Sequence, residues 1–165
     1  MRPTSTAVTL DQEIRQRKPF VSLEEEVFLG LQRTASLLLQ ALGRELKVHD
    51  LTPAQYNALR ILRGAEPGAA ASGGLTCSEI GERLVSPGPD VTRLLDRLEQ
   101  RGVVARQRDA GDRRVVRARI TAAGLALLAE LDAPVAEALG HLLGGLGEKR
   151  LRGFVSLLAA ARERA

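Results

Sequence analysis

The sequence predicts a mainly α-helical protein that carries one small β-hairpin. Hydrophobic residues make up 44% of the 165 residues but aromatic residues only 2%, so the core must consist mostly of Leu, Ala and Val. Leu and Ala favour helix. Adjacent β-branched residues occur at Val103-Val104 and Val115-Val116, within two alternating segments joined by a loop rich in Asp and Arg. That pattern predicts the hairpin.

The first long helix is predicted to begin at Ser22. Residues 1–19 mix Pro, Thr, Ser and charges without a sustained period, which indicates a mobile or partly helical arm, or an ordinary frayed terminus. Ser22 followed by Glu25 has the form of a helix cap with acidic residues in the first turn. The apolar stripe from Val27 to Leu46 extends this helix to roughly 25 residues, which is long for a small domain and indicates packing beyond its own core.

Capping residues delimit the next helix. Thr52 and Pro53 predict a helix start, and the apolar face that follows includes Tyr56. The helix should end near Gly64. Residues 66–74 have no period, so we expect a flexible connection there.

Two short helices follow, separated by the turn at residues 85–88. Thr76 with Glu79 forms a capping box for the first. Pro89 is expected to open the second, which Gly102 stops. The buried side of this second helix is predicted to comprise Val91, Leu94, Leu95 and Leu98.

The hairpin is predicted from alternation over residues 104–108 and 115–120. Residues 109–113 connect the two segments with a turn sequence that includes a glycine. Alternation places Val116, Ala118 and Ile120 on one face. Leu75 is expected to pair with the hairpin as a short strand.

The C-terminal part is predicted to contain two helices. Thr121 caps the first, which Pro134 should kink. Gly144-Gly145 interrupts the pattern, and residues 147–164 form the last amphipathic helix. The terminal helices have more apolar positions than one thin domain needs, and we expect them to form a dimer interface. That predicted interface comprises residues 27–46, 139–143 and 151–158.

Basic charge is concentrated around the hairpin. The formal net charge of +4 and the pI of about 10.0 suit a polyanionic partner, although the totals can also reflect genomic base composition. From Arg101 to Arg119, seven arginines stand against two aspartates, a local charge of +5 that leaves −1 for the rest of the chain. The position of the charge therefore indicates a positive field at the hairpin.

The sequence carries no motif of the common catalytic sites. It contains no H-E-x-x-H, C-x-x-C, G-x-S-x-G or phosphate-binding glycine loop. His49 and His141 lie in different predicted helices, so we expect neither an enzyme nor a metal or cofactor site. The single cysteine, Cys77, excludes an intramolecular disulfide framework and fits a reducing cytoplasm. No apolar run approaches the roughly 18 residues of a membrane span, and a cytoplasmic protein is expected.

Helix, tight turn, helix and basic hairpin follow one another from Leu75 to Gly124, which is the pattern of a winged helix-turn-helix. The N-terminal turn of its second helix would enter the major groove of DNA. Arg97 could instead form a salt bridge near Asp96 or Arg101, and Asp90 is expected to support the helix N-terminus rather than contact a base. The candidate DNA-contacting residues are Ser86, Gly88, Asp90, Thr92, Arg93 and Arg97.

The hairpin supplies the second set of candidates, because an outward guanidinium suits the negative potential of a narrow minor groove. We assign the outward role to Arg113 and a structural ion pair to Asp112 and Arg114. The reverse assignment and a merely solvated charged face are the alternatives. The wing candidates are Arg108, Asp112, Arg113 and Arg114.

The segment PDVTRLLDRLEQRGVVAR, followed by DAGDRR and ITAAG, resembles the MarR (multiple antibiotic resistance regulator) family. The resemblance covers about residues 22–164. It implies a homodimeric winged-helix regulator in which the N- and C-terminal helices form the dimer and two recognition helices read a pseudo-palindrome. It also implies a repressor released by a small phenolic or otherwise anionic effector. The matched DNA-reading positions are Thr92, Arg93 and Arg113, and family analogy places pocket residues at Phe28, His49, Tyr56 and Arg60.

The resemblance does not extend to a redox sensor. The peroxide-sensing branch carries a reactive cysteine near its N-terminal helix, and this sequence has none there. We expect Cys77 to be a buried structural thiol. A helix N-terminus can lower a thiol pKa, so a thiol-based sensor remains the alternative.

The sequence therefore predicts a mobile arm (1–19) and a MarR-type domain (20–165). Within that domain, residues 22–49 and 121–165 form dimerisation helices and residues 51–120 the DNA-binding lobe. The predicted function is a sequence-specific regulator that binds double-stranded DNA, more specifically a repressor. A winged-helix module that binds proteins and not DNA is the main rival interpretation, and a small-molecule-binding protein or enzyme is the third.

Overall fold

The computed structural model describes residues 8–65, 74–86, 90–109 and 111–163. The chain divides into two compact units, Met1–Gln40 and Ala41–Ala165. Its described elements in chain order are α1 (Leu10–Glu13), α2 (Leu23–Lys47), α3 (Pro53–Gly64), α4 (Cys77–Arg83), α5 (Val91–Gln100), β1 (Val104–Arg108), β2 (Val116–Ile120), α6 (Ala122–Leu143), a 3₁₀ turn (Gly144–Leu146) and α7 (Glu148–Arg162).

The first unit contains the single turn of α1 and most of α2. Ser22 caps α2 as predicted, because its Oγ accepts a hydrogen bond from the N–H of Glu25 at 3.2 Å. Arg33 on α2 donates to the carboxylate of Glu13 at 2.8 Å. Part of the predicted N-terminal arm is therefore helical and hydrogen-bonded to α2.

The second unit holds the hydrophobic core, and the core is aliphatic as the composition predicts. Tyr56 is the one aromatic residue among its described members. Arg63 on α3 forms a two-pronged pair with Asp132 on α6, at 2.8 and 3.0 Å, and this contact holds the pKa of Asp132 below its usual range. The fully buried side chains include Leu46, Leu59, Leu62, Ile80, Leu95, Leu98, Leu128 and Leu131.

The predicted caps of the helices in this unit are confirmed. The hydroxyl oxygens of Thr52, Thr76 and Thr121 each accept the N–H three residues later, at 3.1 to 3.2 Å.

The expected start of α5 is wrong by two residues. Asp90 is the N-cap, since its carboxylate accepts the N–H of Arg93 at 3.1 Å, and the helix begins at Val91. A side-chain cap places the helix start one residue after the cap, and Pro89 itself lies outside the described residues.

The hairpin is antiparallel, with Val104 opposite Ile120 and Arg108 opposite Val116. Leu75 forms the predicted bridge to Ala118, with backbone hydrogen bonds of 3.0 and 2.7 Å. Only the base of the hairpin contributes to the core. Val116, toward the tip, is 41% exposed although alternation along β2 places it on the same face as the buried Ala118.

Two glycines fix how α5, β1 and α6 follow one another. Gly102 ends α5 with φ of +71°, and the next N–H, that of Val103, returns to the carbonyl of Leu98 at 3.1 Å. At Gly124, in the first turn of α6, a Cβ would clash with the carbonyl oxygen of Val103 and lie 2.6 Å from a side-chain carbon of Ile120. The backbone approach at that point therefore requires glycine.

The last two helices leave much apolar surface exposed. Helix α6 continues through Pro134 to Leu143, and α7 has no buried residue. Leu142 is 45% and Val155 65% exposed in the single chain. No helix among the described residues is long and apolar enough to span a membrane.

Candidate nucleic-acid interface

Helices α4 and α5 form the predicted helix-turn-helix. Leu84 ends α4 in an extended conformation, and the N–H of the next residue, Val85, donates to the side chain of Asn57 on α3 at 2.9 Å. The chain thus leaves α4 along a defined path. The predicted contact residue Ser86 is exposed, whereas Gly88 lies outside the described residues.

Helix α5 has one face in the core and one in solvent. Leu94, Leu95 and Leu98 are buried, while Thr92, Arg93 and Arg97 are exposed. Asp90 supports the helix N-terminus, as expected, by accepting the hydrogen bond from the N–H of Arg93. The arrangement leaves a hydroxyl and two guanidinium groups on the outer face.

The alternative considered for Arg97, a salt bridge near Asp96 or Arg101, is not what the structure shows. Asp96 pairs with Arg106 at 2.7 Å. Arg101 donates to the carbonyl oxygens of His49 and Asp50, both at 2.8 Å. Within the described residues no ion pair engages Arg97, so its charge stays available on the surface.

Arg106 joins the hairpin to α5. Its guanidinium donates to the carboxylate of Glu99 at 2.8 Å, and its backbone N–H donates to the same carboxylate at 3.1 Å. These hydrogen bonds hold the pKa of Glu99 below its usual range. Arg106 thus stabilises the fold, and its charge, part of the +5 around the hairpin, is paired with carboxylates of the protein itself.

The structural ion pair of the wing is Asp109–Arg117. The guanidinium of Arg117 lies 2.7 Å from the Asp109 carboxylate, which also accepts the N–H groups of Gly111 and Asp112 at 2.8 and 3.1 Å. The side-chain contact, followed by these backbone donors, lowers the pKa of Asp109. Alternation along β2 had placed Arg117 opposite the core face, but it did not identify Asp109, eight residues away across the hairpin, as the partner.

The predicted side-chain pair between Asp112 and Arg114 is wrong in form. Asp112 accepts a hydrogen bond at 2.9 Å, but from the backbone N–H of Arg114 and not from its guanidinium. A short turn favours this contact, because an aspartate there reaches the N–H two residues later. Arg113 and Arg114 are both exposed, and within the described chain neither guanidinium has an ion-pair partner.

The positive field of the hairpin is therefore divided. Arg101, Arg106 and Arg117 bind groups of the protein itself. The exposed arginines that remain at the outer part of the wing are Arg108, Arg113 and Arg114.

Comparison with known proteins identifies the family. The sequence model of the MarR family matches residues 49–115. A crystal structure of a MarR transcription factor from Planctomyces limnophilus is 37% identical, with a TM-score of 0.64 over 86% of this chain and 99% of that one. The chain belongs to the MarR family.

Two further similarities agree with this assignment. The transcriptional regulator TtmR of Methylorubrum extorquens (strain PA1) is 32% identical over 145 residues, which cover 86% of this chain and 68% of TtmR. A crystal structure of S. aureus MepR in complex with DNA is 24% identical, with a TM-score of 0.70 over 82% of this chain and 95% of that one. The latter shows likeness of fold. This MarR protein is thus a winged-helix, DNA-binding transcriptional regulator.

The pocket residues that family analogy suggests lie in different surroundings. Tyr56 is buried, and the guanidinium of Arg60 lies 5.8 Å from the centre of its ring, within reach of a cation–π interaction. His49 lies 3.9 Å from a carboxylate oxygen of Glu130. Phe28 belongs to the first unit, where it is 59% exposed.

Cys77 is the first residue of α4, and its side chain is partly buried against the core. It carries no metal-site signature, since the described residues contain no cluster of three or more His, Cys, Asp or Glu side chains suited to an ion. Its position follows directly from the cap at Thr76. The thiol is therefore partly buried and not fully buried as expected.

Proposed function

We propose that this MarR-family protein is a homodimeric repressor that reads a pseudo-palindromic operator in the cytoplasm. The observation that carries the proposal is the outer face of α5, where Thr92 and Arg93 stand exposed beside the arginine-bearing wing. Both elements that contact DNA in a winged helix-turn-helix thus present donors. MepR, which has the same fold, was crystallised with DNA.

The recognition helix supplies base readout in this proposal. Arginine pairs bidentately with guanine in the major groove, and threonine can contact base edges or the thymine methyl group. The buried leucines of α5 fix its rotation, so that Thr92 and Arg93 face outward together. We assign base contacts to these two residues.

The wing supplies minor-groove contacts. Narrow A·T-rich minor grooves have enhanced negative potential and attract arginine. The Asp109–Arg117 pair holds the base of the loop, while Arg113 projects at the tip with Arg108 and Arg114 nearby in sequence. We assign the minor-groove contact to Arg113 and phosphate contacts to the other two.

A second copy of the chain completes the molecule. Helix α7 is amphipathic yet has no buried residue in one chain, and Val155 and Leu157 are 65% and 71% exposed. Apolar surface of this kind is typical of an interface. A two-fold dimer would place two α5 helices in successive major grooves, roughly 34 Å apart.

Release by a small phenolic or anionic effector belongs to the proposal through the likeness to the family. Tyr56 and Arg60, with His49 and Phe28, are the candidate pocket residues. Redox control through Cys77 is the second candidate, favoured by its position at the start of α4. Neither effector release nor redox control through Cys77 requires a metal or an organic cofactor.

The experiment selects fragments of the organism's own genome on the immobilised protein and sequences those that are retained. Fluorescence anisotropy then measures the affinity for these fragments at several salt concentrations. A regulator retains a few fragments that share an inverted repeat, and its affinity falls steeply with salt. A protein-binding module retains none at low salt. Size-exclusion chromatography with light scattering checks the dimer.

A further inference from the structure

The turn between α2 and α3 gives α2 a closed C-terminus. The N–H groups of Asp50 and Leu51 return to the carbonyl oxygens of Lys47 and Leu46, both at 3.1 Å, and Asp50 has a φ of +51°. These two hydrogen bonds and the left-handed residue form a Schellman motif, in which the apolar residues on either side pack together. Leu46 and Leu51 are both buried in the core. The turn therefore has a defined shape, and the carbonyl oxygens of His49 and Asp50 are not acceptors in this motif.

Arg101 binds these two carbonyl oxygens from the end of α5. It is the C-terminal cap residue of α5, and its two terminal guanidinium nitrogens donate to the carbonyl oxygens of Asp50 and His49, both at 2.8 Å. The positive charge of the donor strengthens such hydrogen bonds. A planar guanidinium that binds two acceptors also fixes a direction as well as a distance. The contact therefore attaches the C-terminal end of the recognition helix to the end of α2.

The same turn is attached to α6. A carboxylate oxygen of Glu130 on α6 lies 3.9 Å from Nδ1 of His49. The leucines that flank the turn belong to the same core as Leu128 and Leu131 of α6. Residues 139–143, which are part of the predicted dimer interface, lie further along α6, and all of these residues belong to the second unit. The turn therefore contacts both the recognition helix and a helix of the proposed dimer interface.

The other contacts of α5 act along its sides. Leu94, Leu95 and Leu98 pack into the core, and apolar packing is non-directional. Asp96 pairs with Arg106 of β1, which fixes the wing to α5 and not α5 to the dimer helices. The Arg101 contact supplies a directional link toward those helices.

We propose that Arg101 is a positioning residue, which sets the offset of α5 from the turn and thereby the separation of the two recognition helices. The inference rests on the homodimer of the proposed function. Arg101 acts by restricting the positions that α5 adopts before DNA is bound. Because a two-fold dimer reads two half-sites at a fixed spacing, a restricted α5 makes the protein select operators by their spacing. A single half-site requires no such restriction.

Two substitutions of Arg101 separate positioning from a direct contact with DNA. Arg101→Lys and Arg101→Gln both remove the two-pronged contact, and only the first keeps the positive charge. Lysine also binds phosphate as a point charge, so Arg101→Lys would preserve a phosphate contact. Ile80→Val is the control for stability, because Ile80 is fully buried on α4 and the loss of a methylene destabilises the same unit. Circular dichroism and urea unfolding check the fold and the stability of each variant.

Fluorescence anisotropy compares the selected operator, the same operator with one base pair inserted or removed between its half-sites, and a single half-site. One base pair shifts a half-site by about 3.4 Å and turns it by about 35°. We expect the wild type to favour the natural spacing at least about tenfold, since the altered spacing misplaces one recognition helix. For both Arg101 variants this ratio should fall to about threefold or less, because a looser α5 adapts to either spacing. The affinity for the single half-site, and the spacing ratio of Ile80→Val, should stay at the wild-type values.

Distances between the two α5 helices test the same inference without DNA. Spin labels are attached at Arg97→Cys in a Cys77→Ser background, because Cys77 is the single cysteine of the chain. Double electron–electron resonance then measures the distance between the labels of the two copies. The distribution of distances should be narrow with Arg101 and clearly broader with Arg101→Lys.

The possible outcomes distinguish the inference from the proposed function. If the wild type binds its operator as a dimer and the Arg101 variants keep either its spacing ratio or its distance distribution, the positioning role is wrong and the proposed function stands. Equal losses for half-site and operator in Arg101→Gln, restored by Arg101→Lys, would identify a phosphate contact and overturn the positioning role. A spacing ratio that Ile80→Val relaxes as much would overturn it too. If the wild type binds no DNA, the proposed function fails and the spin-label distances alone decide; a monomeric wild type in light scattering would overturn both.

Discussion

Substitution of Gly124 by alanine tests the close approach between α6 and the hairpin. The added Cβ would clash with the Val103 carbonyl oxygen and lie 2.6 Å from Ile120. That carbonyl cannot easily retreat, because it accepts the N–H of Thr121 at 3.1 Å. Overpacking against fixed backbone costs up to about 3 kcal/mol.

The intrinsic preference of alanine for helix opposes this cost by about 1 kcal/mol. The net expectation is a loss of about 2 kcal/mol in the free energy of unfolding. For a chain of this size that corresponds to a midpoint lower by about 4–8 °C. Thermal unfolding followed by circular dichroism, at equal protein concentrations, measures it.

Gly140→Ala is the matched control in the same helix. A Cβ at Gly140 meets nothing within 4 Å in the single chain, so the helix preference of alanine acts alone there and stability should rise by up to about 1 kcal/mol. Because residues 139–143 belong to the predicted dimer interface, light scattering checks that both variants have the oligomeric state of the wild type. If Gly124→Ala is as stable as Gly140→Ala, the packing argument for the glycine in the ITAAG segment is refuted.

Three further predictions concern the wing, the α5 contact and the thiol. Arg113→Ala should weaken operator binding by about 1–3 kcal/mol and leave the dimer intact; unchanged affinity in an anisotropy titration would remove the minor-groove assignment. The hydrogen bond from Arg106 lowers the pKa of Glu99 in the folded protein. The Glu99–Arg106 pair therefore stabilises the fold at pH values above the pKa of an unfolded glutamate. This stabilisation is lost as the pH falls through the lowered pKa of the folded state. Urea unfolding should therefore show less destabilisation by Arg106→Gln at pH 3 than at pH 7, and equal effects at both would contradict the pairing. Cys77→Ser should bind DNA before and after peroxide treatment as the wild type does; an oxidation response that only the wild type shows would identify a sensor.

Local rules predicted the helix boundaries well because each boundary depends on a few neighbouring residues. The caps at Thr52, Thr76 and Thr121 each use an acceptor three residues before its donor, which the sequence displays directly. The start of α5 was misplaced because Pro89 and Asp90 both favour a helix N-terminus. Only the hydrogen bond to Arg93 decides between them.

The use of the arginines was less predictable, because ion pairs depend on distances between elements. Counting charge gave +5 around the hairpin, yet Arg106 and Arg117 bind carboxylates of the protein. The partner of Arg117 lies eight residues away across the hairpin.

The Arg106 contacts have a consequence for the operator. Arg106 connects β1 to α5, and Leu75 connects the hairpin to the start of α4, so that wing and recognition helix are held at a fixed offset. Along a duplex, a fixed offset is a fixed number of base pairs. Under the proposed function, each half-site should therefore keep a constant interval between the bases assigned to α5 and the minor-groove step assigned to Arg113.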